Sequence, residues 1–302
     1  LGTSSVKVIV INDDGEISSK SSQSLSLSSP NPLWNEQSPS DWLEAAETAI
    51  LKIPKNIRSK LKGMGLSGQM HGAVLLDKKE RPIRPAILWN DGRSFEECKE
   101  LEKKLPNLNK ITGNQIMPGF TSPKIEWVRK YEKENFSAIQ KILLPKDYLR
   151  LKWSGEFATD TSDASGTMWL NTKKRSWSND ALEISGISSQ QLPELFEGNQ
   201  ITGKISKSSS KKLGIPMIPI VAGAGDQAAG AIGSSVINPD DASLVLGTSG
   251  VIFLVTDGFL PNLKQGIHAF CHAVPRTWHQ MAVILSAASA IDWFANLVGY
   301  DY

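Results

Sequence analysis

Hydrophobic and polar positions follow two periods along this chain. Val6, Val8 and Val10 recur at every second residue, the spacing of a strand. The serine-rich run 18–30 has the composition of a linker, but Leu25 and Leu27 recur at the same spacing, which predicts an edge strand. "SPSDWLEAAETAILKI" (38–53) switches to a helical period: Trp42, Ala45, Ala46 and Ala49 share one face, and Ser40 is positioned to cap. Residues 63–69 and 72–77 are strand, glycine turn, strand. Helices are predicted over 92–105, where Glu and Lys lie at i,i+4, and over 122–131, opened by Ser122-Pro123. A strand at 141–153 breaks at Pro145 into a helix, and another helix spans 177–186, ending at Gly186. "IPIVAGAGD" (218–226) is a buried strand entering a glycine turn, followed by a small-residue helix over 226–236. "INPDD" (237–241) has the turn-rich composition of a domain junction. A closing helix over 286–299 gathers Ile291, Phe294, Ala295 and Val298 on one face. Strands alternating with helices predict α/β layers, with some hairpins mixed in.

A repeat stands out against this pattern. "LGTSSVKVIV" (1–10) returns as "LGTSGVIFLV" (246–255), with six of ten positions identical. Each copy leads into a strand of matching hydrophobicity, and the second is preceded by a strand of its own, "ASLVLG". Glycines let the backbone approach a ligand closely, several N–H groups can converge on an anion, and Thr and Ser hydroxyls add donors. Two such turns, Gly2-Thr3-Ser4 and Gly247-Thr248-Ser249-Gly250, suit a polyphosphate gripped between two similar halves; an ordinary hairpin turn explains either one alone. No G-x-x-x-x-G-K-[ST] occurs. "GAGDQA" (223–228) fits the dinucleotide-binding fingerprint, but the next strand ends in Gly-Thr rather than in the acid that holds a ribose.

The 302 residues suffice for two domains. Lys and Arg total 33 against 31 Asp and Glu, so no global basic field argues for nucleic acid. Cys98 and Cys271 are the only cysteines, which fits a reducing cytoplasm rather than a disulfide framework. No segment approaches the ~18–20 apolar residues of a membrane span, and no signal peptide is evident. The chain starts with Leu1, not Met, which agrees with a trimmed chain or a fragment.

Asp226 sits on a strand-to-helix turn among Gly223, Gly225, Ala228 and Ala229. A helix cap explains it; so does a general base beside a space left for substrate. "SGQMHG" (67–72) places Gln69 and His71 around Met70 in a glycine-flanked turn suited to a small polyol. "WNDGR" (89–93) is a strong turn signal, and Trp89 and Arg93 suit a sugar, one with an apolar face and one with donors. Asp160 and Asp163 in "TDTSDASGT" invite comparison with paired glycosidase carboxylates, but the Ser/Thr/Asp density predicts a capped loop. His268, Cys271, His272 and His279 do not predict a metal cluster, since strand alternation puts His268 and His272 opposite Cys271.

These strings together resemble the FGGY carbohydrate kinases, with the xylulokinases nearest among them. The resemblance runs in order through "PLWNEQSPSDW" (32–42), "LSGQMHGAVLLD" (66–77), "RPAILWNDGR" (84–93), "ITGNQIMPGFTSPKIEWV" (111–128), "LLPKDYLRL" (143–151), "GEFATDTSDASGTMWL" (155–170), "VAGAGDQAAGAIG" (221–233) and "LVLGTSGV" (244–251). It implies a ribonuclease-H-like, actin-type ATPase fold of two domains with a cleft: 1–237, lacking its first strand, and 238–302, the start of an incomplete second domain. It implies ATP and Mg2+, with D-xylulose phosphorylated to D-xylulose 5-phosphate in xylose catabolism. Asp226 matches the base. Met70, His71, Asp226 and Gln227 match substrate contacts, joined by Trp89 and Asp91, while the two LGTS turns become phosphate-binding hairpins. The family's magnesium-holding Asp is expected before Leu1 and its adenosine segment after Tyr302, so a fragment of this kind is expected to be inactive. Gln227 stands where the family often has Asn, and Asn171 replaces the usual acid after "MWL". Another FGGY kinase (for gluconate, ribulose, fuculose or glycerol), a sugar-binding pseudokinase and an actin-type or chaperone-like ATPase are the alternatives. The partners implied are a ketose and MgATP, without nucleic acid or membrane; oligomeric state is left open, a homodimer included.

Overall fold

In the computed structural model, which describes residues 1–247, 249–284 and 286–300 apart from the Ser289 side chain, the period-2 segments form strands. Ser5–Ile11 pairs antiparallel with Ile17–Ser24, so the edge strand predicted over 18–30 starts one residue early and stops before Leu25. Val74–Leu76 pairs antiparallel with Lys141–Leu143. Ser67–Gly68 and Ala224–Gly225 run parallel although they lie far apart in sequence.

Alternation within these strands sorts the core into two layers. Leu75 and Ile87 face one cluster, with Leu101, Phe120, Ile125, Trp127 and Trp169. Val74, Leu76, Ala86 and Leu88 face the other, with Trp42, Leu143, Leu149, Leu213 and Ile220. Successive side chains on a strand point to opposite faces, so a single strand feeds both layers.

The helices follow the predicted periods. Pro39–Lys52 buries Trp42, Ala45, Ala46 and Ala49. Its cap is not Ser40 as predicted but Ser38, because Pro39 lacks an N–H and is pre-set for the first helical position. Phe95–Lys104, Thr121–Tyr131, Pro145–Ser154, Asn179–Ile184 and Asp226–Gly233 all fall within or beside their predicted ranges. The closing helix Ala288–Val298 buries only Ala295 of its predicted apolar face; Ile291, Phe294 and Val298 are exposed.

The turn at 237–241 is closed by Asp241, whose carboxylate accepts from the Ile237 and Asn238 amides. Beyond it lies a four-stranded antiparallel sheet in the order Ala242–Leu246, Gly250–Thr256, Trp278–Ile284, His268–Cys271. Val251, Phe270 and Met281 from this sheet join the core around Leu75 and Trp169. No described helix is long and apolar enough to cross a membrane.

Candidate active site

Four stretches that are distant in sequence meet at the ends of the parallel pair. The backbone of Leu1 runs beside 67–69: its amino group donates to Ser67 O at 2.7 Å, and Gln69 N donates to Leu1 O at 2.7 Å. This brings the Gly2–Ser4 turn to the sugar-candidate segments. Trp89 Nε1 donates to Thr3 Oγ1 at 3.0 Å, and Thr3 Oγ1 donates to Gln69 Oε1 at 3.0 Å. Gln69 Nε2 donates in turn to Gln37 Oε1, which also accepts from Trp42 Nε1. The turn itself closes through Gly2 N–H to Ser5 O, a bond that does not involve the intervening Thr3 and Ser4 amides.

Met70 connects this group to Asp226. A Cβ on Gly225 would lie 2.8 Å from Met70 Cγ, so any larger residue there would require Met70 to move. Asp226 opens its helix and accepts from the Gln227 amide at 2.8 Å. It stays accessible to water, yet desolvation by the protein around it raises its carboxyl to about 6.

His71 adopts a left-handed backbone, φ 67°, unusual for a residue with a Cβ. Thr121 Oγ1 and Lys124 Nζ, from the first turn of one helix, hold it there by donating to His71 O at 3.1 and 2.9 Å. Burial pushes the Lys124 ammonium down to about 7. The His71 ring packs edge-on to Phe120 at 4.8 Å, and its Nδ1 lies 2.8 Å from Gly166 O. Burial, with Lys124 nearby, lowers His71 to about 3, so the ring is neutral. A carbonyl only accepts, so the proton sits on Nδ1 and Nε2 is left as a bare acceptor.

In the 89–93 turn Arg93 is engaged within the protein: its guanidinium stacks 3.8 Å over Trp34 and pairs with Asp91 and Glu36. The Asp91 carboxylate, expected at the substrate, is buried and takes Arg93 together with the Asn35 amide at 2.7 Å. Trp89 remains half-exposed.

The second LGTS turn is a hairpin whose strands pair Leu246 with Gly250, and Gly247 N donates to Ser249 O. Gly250 is buried and Ser249 half-buried, while Thr248 lies outside the described residues. Gln227 is half-buried next to Asp226. Asn171 accepts from the Lys174 amide at 3.0 Å, a turn-closing task that Asn performs as well as an acid. Among the described residues no group of three or more His, Cys, Asp or Glu is placed to hold a metal.

A buried charge cluster went unseen in the sequence. Asp160 caps Thr161–Ala164 as predicted for that loop, but Lys146 Nζ also reaches Asp147, Asp160 and Asp163 at 2.7, 2.8 and 3.2 Å. The available signal was Lys146 and Arg150 at i,i+4 on the apolar face of "LLPKDYLRL".

Residues 1–233 match the N-terminal domain of the FGGY family of carbohydrate kinases. The chain belongs to this family. Over 300 residues it is 50% identical to the xylulose kinase of Escherichia coli, covering 99% of this chain and 62% of that protein. With the xylulose kinase of Bacillus subtilis it shares 36% identity, covering 97% and 60%. The structure of a "xyloylose kinase" from Brucella ovis superposes with TM-score 0.96 at 45% identity, over 99% of this chain and 63% of that one. A glycerol kinase from Plasmodium falciparum, 20% identical, shares the fold with TM-score 0.88 over 98% and 62%. The fold is thus the actin-like ATPase fold of FGGY sugar kinases, and the chain spans about 62% of the length of the curated relatives it matches.

Proposed function

We propose that the protein containing this chain is a xylulokinase, transferring the γ-phosphoryl group of ATP to D-xylulose to give D-xylulose 5-phosphate. The observation that carries this is the packing of Met70 on Gly225, which joins the Gln69–His71 segment to Asp226. The 50% identity to a xylulose kinase supports the choice of sugar.

Asp226 acts as the general base. It takes the proton of the sugar hydroxyl as that oxygen forms its bond to phosphorus and the bond to ADP breaks. A carboxylate raised to about 6 is mostly ionised at neutral pH yet more basic than an ordinary one, which suits the task. His71 Nε2 accepts from a second sugar hydroxyl, Met70 and the face of Trp89 cover the apolar side, and Gln227 adds an amide. Asp91 and Arg93 shape the turn that presents Trp89.

The Gly2-Thr3-Ser4 and Gly247-Thr248-Ser249-Gly250 turns hold the phosphates of ATP. Glycine turns whose backbone amides can converge on an anion fit that role. When bound, MgATP supplies the phosphoryl group and neutralises charge in a loose transition state; no carboxylate of this chain is assigned to the metal. We also propose a domain boundary near 237, supported by the family match ending at 233 and the new sheet starting at Ala242.

The test is a substrate panel (D-xylulose, gluconate, ribulose, fuculose, glycerol) with MgATP on the gene product that carries these residues, following ADP release. Preference for D-xylulose is expected; a stronger preference for another sugar would replace the substrate and leave the family intact.

A further inference from the structure

The strand that delivers Asp226 is held from beneath by side chains outside the substrate and phosphate set. Arg150 donates to Val221 O at 2.9 Å and to Ala222 O. At the other end of the segment, Ser162 Oγ accepts from Gly225 N at 3.2 Å, one residue before Asp226. The single hydroxyl proton of Ser162 goes to Asp160 Oδ2. The oxygen is therefore oriented as an acceptor for Gly225.

Asp160 is fixed in its turn. Its Oδ2 also accepts from the Ser162 and Asp163 amides at 2.8 and 3.2 Å, and its Oδ1 pairs with Lys146 Nζ at 2.8 Å. The Lys146 stem packs under the partner strand, since a Cβ on Gly68 would lie 3.0 Å from Lys146 Cβ. Gly68 pairs in register with Gly225. One cluster thus supports both strands, the one that runs on to Met70 and His71 and the one that runs on to Asp226.

Its members are fully or almost fully buried: Lys146, Asp147, Arg150, Asp160 and Asp163 at 0% exposure and Ser162 at 1%. Desolvating five ionisable groups costs several kcal/mol each, and apolar side chains of similar volume often stabilise as well or better. Burial and the neighbouring carboxylates hold the Asp163 carboxyl well above its usual range, leaving two cations facing two carboxylates. What an apolar core cannot supply is a directed acceptor at Gly225 N.

Building on the assignment of Asp226 as base, we propose that Ser162, oriented by Asp160 and Lys146, is a positioning residue that sets the place of the Asp226 carboxylate through the Gly225 amide. Ser162 touches no reacting atom.

The test uses the 302-residue chain with 13C-labelled aspartate carboxyls. The Asp226 resonance is expected to titrate with a midpoint of about 6 in the unmodified chain. In Ser162→Ala the midpoint falls toward the ordinary carboxylate value, by about 0.5 pH unit or more, and the Gly225 amide exchanges about tenfold faster or more. Circular dichroism establishes that the variant is folded. Asp160→Asn, which weakens the pairing with Lys146 that fixes the acceptor of the same hydroxyl, shifts both readouts in the same direction and stands in if Ser162→Ala does not fold. An unchanged Asp226 midpoint and unchanged Gly225 exchange in a folded variant would overturn the proposal. Normal phosphorylation by Asp226→Asn in the gene product that carries these residues would instead remove the base assignment, leaving the titration result as it stands.

Discussion

Met70 lies against the bare Cα face of Gly225: a methyl group there would come within 2.8 Å of Met70 Cγ and 2.9 Å of Sδ. The contact sets the spacing between the Gln69–His71 segment and the turn that carries Asp226. Gly225→Ala forces Met70 out of place at about 1–3 kcal/mol. Its midpoint in urea falls accordingly and its D-xylulose affinity drops about tenfold or more by calorimetry. An affinity equal to that of the unmodified protein would contradict the proposed sugar site.

Asp226→Asn keeps the shape and removes the base. In the gene product that carries these residues, phosphorylation is expected to fall about 10²–10⁴-fold, with D-xylulose binding largely retained. Below pH 6 the rate of the unmodified gene product should fall with pH as the carboxyl protonates. The carboxyl is raised in the folded state, so it favours folding at low pH and this contribution is lost as pH rises from 3.8 through about 6. Asp226→Asn therefore melts higher than the unmodified chain at pH 8 and alike at pH 3.5; the reverse order would contradict the desolvated setting of Asp226.

All four histidines carry lowered pKa values, each mainly through burial: His71 at about 3, with His268, His272 and His279 below the ordinary value. Such groups bind more protons unfolded than folded, so their contribution to stability is present above 6.5 and lost as pH falls. The urea midpoint should decline from pH 7 to pH 5. For His71→Asn the decline should be shallower; an identical slope would mean that His71 does not titrate on unfolding.

Lys146→Met leaves the buried Asp147 and Asp160 carboxylates with Arg150 as their remaining cation, 3.6 Å from Asp147, and is expected to cost about 3–5 kcal/mol at pH 7 by urea unfolding. In the native chain burial opposes the Lys146 charge, but Asp147, Asp160 and Asp163 outweigh it. A loss below about 1 kcal/mol would mean that water reaches the cluster.

Arg93→Lys keeps the charge but loses the planar fork on Asp91 and the stack on Trp34. A loss of about 3 kcal/mol is expected, with red-shifted tryptophan emission. If stability held and only sugar affinity fell, Arg93 would be a sugar ligand after all.

The sequence by itself determined most of the local structure and the set of segments that matter. Periods of 2 and 3.6 are written within a few residues, so spacing alone assigns Trp42, Ala45, Ala46 and Ala49 to one buried face. The family motifs are legible for the same reason. Tertiary structure decided which of their side chains face outward. Asp91 and Arg93 have the chemistry of sugar ligands, but Trp34, Glu36 and Asn35 close around them from a stretch more than fifty residues away. Ser162 and Gly225 are 63 residues apart, and no period within either segment encodes their hydrogen bond. Gln69 and Thr3 meet across 66 residues. A strand or helix follows from short-range sterics and backbone hydrogen bonding, whereas a site is made where chain segments with no local relation are brought together by burial of a shared core.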